Sequence, residues 1–141
     1  MRIIFFVLSG CLLLFILKPS SAIAQNLAGN GEPLKYISSC EIDLNNDGQP
    51  DIALLVETLL GQELIVLLRT NSGYNAFLVS KARPGMYLSC HFGRTVQESK
   101  ALDGEKTYKT PGAYLELHQP EGASVAYFWD GYRFKEVWTA D

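Results

Sequence analysis

From Tyr36 onward, short apolar runs alternate with clusters of Gly, Pro, Asn, Asp and Ser. That rhythm belongs to chains built from strands and tight turns. It predicts strands over Tyr36–Ile42, Ile52–Glu57, Glu63–Arg69, Tyr74–Ser80, Met86–Phe92, Ala113–His118, Ser124–Trp129 and Tyr132–Trp138. Gly61, Asn71-Ser72-Gly73 and Pro84-Gly85 punctuate the first half, and Asp130-Gly131 is a strong hairpin signal near the end. The runs Ile52–Glu57 and Glu63–Arg69 are almost continuously apolar, as in strands covered on both faces. Residues 98–112 are polar and carry Gly104 and Pro111-Gly112, which predicts a long exposed loop or hairpin. Only Ala53–Leu60 has a helical composition, and its neighbours read as strand partners. The fold class expected is mainly β, a small antiparallel sandwich or open barrel of seven to eight strands.

The first 24 residues form a separate signal. Met1-Arg2 is positive, Ile3 to Leu17 is nearly all apolar, and Ala22-Ile23-Ala24 is a small-x-small cleavage pattern. The apolar run falls short of the roughly 20 residues a transmembrane helix needs. Residues 1–24 therefore read as a cleaved signal peptide, 25–33 as a flexible Gly- and Asn-rich leader, and 34–141 as a single β domain. No stable membrane insertion is expected after cleavage, and the destination is the periplasm or the medium. Cys11 leaves with the signal. Cys40 and Cys90 remain, and in an oxidising compartment they have one bridge to form.

Loss of Arg2 and Lys18 lowers the 12 basic residues to 10, against 15 acidic ones. A modestly acidic domain without a basic cluster is a poor partner for nucleic acid, whose affinity comes largely from Lys and Arg at phosphates. About 117 mature residues suit one domain with one core.

The densest chemistry is Asp43-Leu44-Asn45-Asn46-Asp47-Gly48-Gln49-Pro50-Asp51. Calcium takes 6 to 8 oxygen ligands in flexible geometry. Asp43, Asn45, Asp47 and Asp51 can each supply a side-chain oxygen, and Gln49 its backbone carbonyl. Gly48 suits the positive φ of the sharp turn. The helix–loop–helix calcium hand is excluded, because its twelfth position needs a bidentate Glu and here holds Leu54. The competing reading is an Asx-rich turn whose carboxylates accept local N–H groups without metal.

The loop, together with Ile52-Ala53-Leu54-Leu55, Leu64 to Leu68 and Asn71-Ser72-Gly73-Tyr74, resembles one FG-GAP/VCBS-type repeat over residues 43–74. The resemblance implies structural calcium at Asp43, Asn45, Asp47, Gln49 and Asp51. Such repeats usually occur in series as a propeller, whose blades take about 40 residues each and number at least four. This chain is too short for that, so the resemblance extends to the loop and its strands only.

His91 and His118 lie on different predicted strands with no acidic or serine partner at a familiar spacing, which argues against catalysis. Cys90 and His91 point to opposite faces of a strand. No G-x-S-x-G, H-E-x-x-H or phosphate-binding glycine loop occurs. Tyr127, Trp129, Tyr132 and Trp138 form a candidate aromatic binding surface, set against the plainer reading of cross-strand pairs stabilising a terminal hairpin. The function expected is that of an exported non-enzymatic protein with a structural calcium loop. The alternative is a periplasmic binding or inhibitor module that presents the C-terminal aromatic hairpin to a carbohydrate or an envelope enzyme.

Overall fold

The computed structural model describes residues 34–99, 106–120, 122 and 124–139. The expected signal peptide and leader lie outside these residues. Among those described, no helix is long and apolar enough to cross a membrane.

Eight strands follow in order: β1 (Lys35–Ile42), β2 (Asp51–Thr58), β3 (Gly61–Thr70), β4 (Gly73–Ala82), β5 (Tyr87–Gln97), β6 (Thr107–His118), β7 (Ser124–Trp129) and β8 (Phe134–Thr139). They form two antiparallel four-stranded meanders, β1-β2-β3-β4 and β5-β6-β7-β8, stacked as a small sandwich. The sheet class matches expectation.

Alternation builds the core. Ile42, Ala53, Leu55, Leu64, Val66 and Leu68 project inward from the first sheet, and Ala113, Leu115, Leu117, Val125 and Tyr127 from the second. Successive strand residues face opposite ways, so each sheet lends every second side chain to this layer. Both margins of the sandwich are fastened. On one, a Cys40–Cys90 disulfide with Cα atoms 6.2 Å apart joins edge strands β1 and β5. Met86 and Leu88 share the inward face with Cys90. On the other, Phe77 of β4 meets Trp129 and Phe134 edge-on, with ring centroids 5.1 and 5.9 Å away. There too the Tyr127 hydroxyl donates to Ser80 Oγ at 2.9 Å.

Strand ends fall within about two residues of expectation except around residues 93–112. There the sequence predicts a long exposed loop or hairpin over 98–112, and the structure takes the hairpin: β5 and β6 extend beyond the predicted strands, paired from Tyr87↔His118 to Gln97↔Thr107. The register shifts between Gly93 and Thr95. Thr110 Oγ1 donates to the Gly93 carbonyl at this irregularity, and Pro111, which has no N–H to pair, also falls there. Gly112 takes φ 149°, a value few other residues tolerate. Past the bend, Val96 and Tyr108 pack on Ala126, Phe128 and Val137, a second cluster on the outer face of β7 and β8. Ser99 N donates to the Trp138 carbonyl at 2.8 Å, docking the hairpin on β8. This explains why Val125–Phe128 is apolar without alternation: both its faces are covered. Strand β8 starts two residues later than predicted. Asp130 Oδ1 accepts the N–H groups of Tyr132 and Arg133, each at 3.0 Å, and keeps them in the turn.

The disulfide closes a loop with a sequence separation of 50, for which the chain-entropy model gives about 4 kcal/mol. Replacing both cysteines with alanine should lower the unfolding free energy by up to about 4 kcal/mol, read from the urea midpoint. An unchanged midpoint would show that the bridge adds no constraint.

Candidate functional sites

The acidic loop is the connection between β1 and β2, closed by the Ile42↔Asp51 pair. Two side chains anchor it. Leu44 is fully buried in the inter-sheet core. Asp51 is also 0 % exposed, and its Oδ2 accepts Leu44 N at 2.8 Å while its Oδ1 accepts Arg69 N at 2.7 Å. One carboxylate thus clasps the start of the loop to the end of β3. Burial raises the Asp51 pKa, the two N–H bonds pull it back down, and the charges of Asp47 and Asp43 raise it further.

The other predicted ligands lie along the rim. Asp43 Oδ1 and Asn45 Oδ1 both accept Asp47 N, at 3.1 and 3.0 Å. Asp43 Oδ2 accepts Gly48 N at 2.8 Å, and Asp47 Oδ1 accepts Gln49 N at 2.8 Å. Asn45 Nδ2 donates to Asp47 Oδ2 at 3.1 Å. Asn46 at φ 60° and Gly48 at φ 83° supply the left-handed residues this winding needs. The structure therefore gathers Asp43, Asn45 and Asp47 and turns Asp51 inward. The three carboxylates do not place ligand oxygens within 4.8 Å of one another. Each carboxylate oxygen has a second lone pair, so the local N–H bonds leave acceptor capacity on the rim.

The aromatic residues do not form one strip. Tyr127 is buried at 4 % exposure, and Trp129 packs between Phe77 and Phe134. Tyr132 and Trp138 are exposed. A cleft of ≈ 480 Å³ opens beside Trp129, Phe128 and Tyr108, with Lys109, Lys135 and Asn45 at its walls. Lys135 lies 3.5 Å from Asp130, while Lys109 has no ion pair among the described residues.

His91 and His118, which the sequence left without a serine or acidic partner, find both in a polar cluster on the outer face of the second sheet. Ser89 and His91 of β5 stand beside Glu116 and His118 of β6. Ser89 Oγ lies 2.7 Å from His91 Nε2 and 2.6 Å from His118 Nε2, and Ser124 Oγ lies 2.8 Å from His118 Nδ1. Tyr114 stacks on His91, and its pKa is raised by burial and then by the charge of Glu116. The missing signal was register. Once β5 and β6 are read as one hairpin, Ser89 pairs with Glu116, and His91 and His118 flank that pair from either side with ring centroids 6.3 Å apart.

No protein family model, curated protein or solved structure matches the chain. None of these comparisons identifies an FG-GAP/VCBS-type repeat in residues 43–74.

Asp51→Asn should cost about 1–3 kcal/mol in chemical denaturation, because an amide NH₂ would then face one of the two buried N–H donors. A cost near zero would mean that the clasp is dispensable.

Proposed function

We propose that this chain is an exported, non-enzymatic β-sandwich whose β1–β2 loop takes a structural calcium ion. The observation that carries this reading is the charge on the loop. Asp43, Asn45 and Asp47 gather oxygens on one rim, beside the buried carboxylate of Asp51. Among the described residues no basic side chain pairs with Asp43 or Asp47. Close carboxylates repel, and a divalent cation offsets that repulsion where no Lys or Arg does. The loop also lies between the sheets: Leu44 enters the shared core, and a Cβ on Gly112 of β6 would come 3.7 Å from Asn46 Oδ1. An ion on the rim would stiffen that junction. The disulfide fits an oxidising compartment such as the periplasm.

Without a bidentate Glu, affinity falls in the weak extracellular class, roughly 10⁻⁴–10⁻³ M. At about 10 mM calcium such binding stabilises by about 1.4–2.7 kcal/mol. Calcium should raise the melting temperature of the mature protein, chelator should reverse the rise, and Asp47→Ala should abolish the response. Superimposable melts with calcium and with chelator would remove this reading.

A second reading has its own observation, the cleft beside Trp129. Aromatic walls with Lys109 and Asn45 at the edge suit a sugar ring and its hydroxyls. On this reading a glycan array retains ligand with the native chain and loses it with Lys109→Ala at an unchanged melt. A blank array with the native chain would exclude carbohydrate.

A further inference from the structure

In β5 and β6, Cys90, Leu115 and Leu117 face the core, so His91, Glu116 and His118 face outward together. His91 Nε2 is 3.4 Å from Glu116 Oε2, and His118 Nε2 is 3.8 Å from the same oxygen. One ligand atom from each of the three residues falls within 4.8 Å of the others. Zinc bonds of about 2.0–2.2 Å at near-tetrahedral angles put neighbouring ligand atoms roughly 3.3–3.6 Å apart. The two histidine–glutamate spacings are close to that.

Each of the three side chains is also held by a group outside the trio. Thr139 Oγ1 donates to Glu116 Oε1 at 2.6 Å, which leaves Oε2 turned toward the imidazoles. Ser124 Oγ contacts His118 Nδ1, leaving Nε2 as the ligating nitrogen. The Tyr87 ring stacks on His118 at 4.7 Å and the Tyr114 ring on His91 at 5.0 Å, fixing both ring planes. Such outer contacts orient ligands and raise metal affinity.

We propose that His91, Glu116 and His118 form a binding site for a divalent transition metal of the zinc class, coordinated through both Nε2 atoms and Glu116 Oε2. Two imidazoles and one carboxylate favour zinc and its neighbours over calcium, which takes oxygen ligands. Ser89 is the internal competitor. Its single hydroxyl proton serves one imidazole while its oxygen accepts from the other, and the ion replaces that bridge as the serine side chain turns aside. The site is open to water, with His91 37 % exposed, His118 19 % and Glu116 14 %. Three protein ligands leave at least one coordination position for water or another donor. This inference is independent of the calcium reading, because it uses other residues on another sheet.

The test is a cobalt(II) titration of the mature, disulfide-bonded chain without a polyhistidine tag, in millimolar calcium, followed by zinc displacement. The expected result is one cobalt ion per chain, a ligand-field absorption band, and loss of that band to zinc but not to calcium. His91→Ala should abolish the band. Glu116→Gln, nearly isosteric and still able to accept from Thr139, should weaken binding on the order of tenfold or more, and Thr139→Val about 10–100-fold. Metal-free melts of each variant separate lost ligands from lost fold; should His91→Ala unfold, Glu116→Gln decides. No band with the native chain, or a Glu116→Gln titration that overlays the native one, overturns the proposal.

Discussion

Burying a carboxylate away from water is costly unless donors meet its oxygens, and at Asp51 two backbone N–H groups meet one oxygen each. The clasp acts on three elements at once. It begins β2, holds the N–H of Leu44 where the loop leaves β1, and fastens the end of β3 at Arg69. Leu44 is thereby kept in the core, and the loop is kept against Gly112 of the second sheet. Hydrogen bonds to an ionised group contribute about 1.5–3 kcal/mol each, enough to offset much of the cost of burying Asp51. The residues free for chemistry, Asp43, Asn45 and Asp47, are presented on the rim because Asp51 has been taken out of it.

The second sheet meets a different demand. Strand β7 is apolar on both faces, and the inter-sheet core uses only one. The β5–β6 hairpin resolves this by bending at Gly93 and Gly112 and laying Val96 and Tyr108 over the outer side. Close fit limits the bend: a Cβ on Gly93 would come within 3.1 Å of the Tyr114 ring. Tyr114 in turn stacks on His91. Packing of the outer cluster and orientation of one imidazole are therefore parts of the same arrangement.

Strand count, sheet class and the disulfide were legible in the sequence because they depend on local pattern: apolar runs, turn residues and two cysteines beyond the leader. The acidic loop was legible for the same reason, its residues being consecutive. The inward turn of Asp51 was not, because its second donor, Arg69 N, comes from another strand. The region from 98 to 112 left loop and hairpin open because Lys106, Lys109 and Pro111-Gly112 give no apolar pattern that would choose between them. Tyr108 and Val96 find an apolar surface that exists only after β7 and β8 have formed. Tyr127 was placed in a binding strip because alternation tells which residues share a face, not which face is covered.

The two candidate metal sites differ in the way their ligands are assembled. Those of the loop come from one short segment whose backbone can adjust, which suits a large cation with undemanding geometry and modest affinity. Those of the outer face come from two paired strands, with Thr139 of β8 and Ser124 of β7 holding them from further across the sheet. Four strands must be in register before the imidazoles and the carboxylate meet, so the cost of ordering them falls on folding and not on binding. A site organised in that way suits a small ion with strict angular needs. It also escapes local motif searches, since no two of its ligands have a spacing that a strand face does not produce by alternation alone.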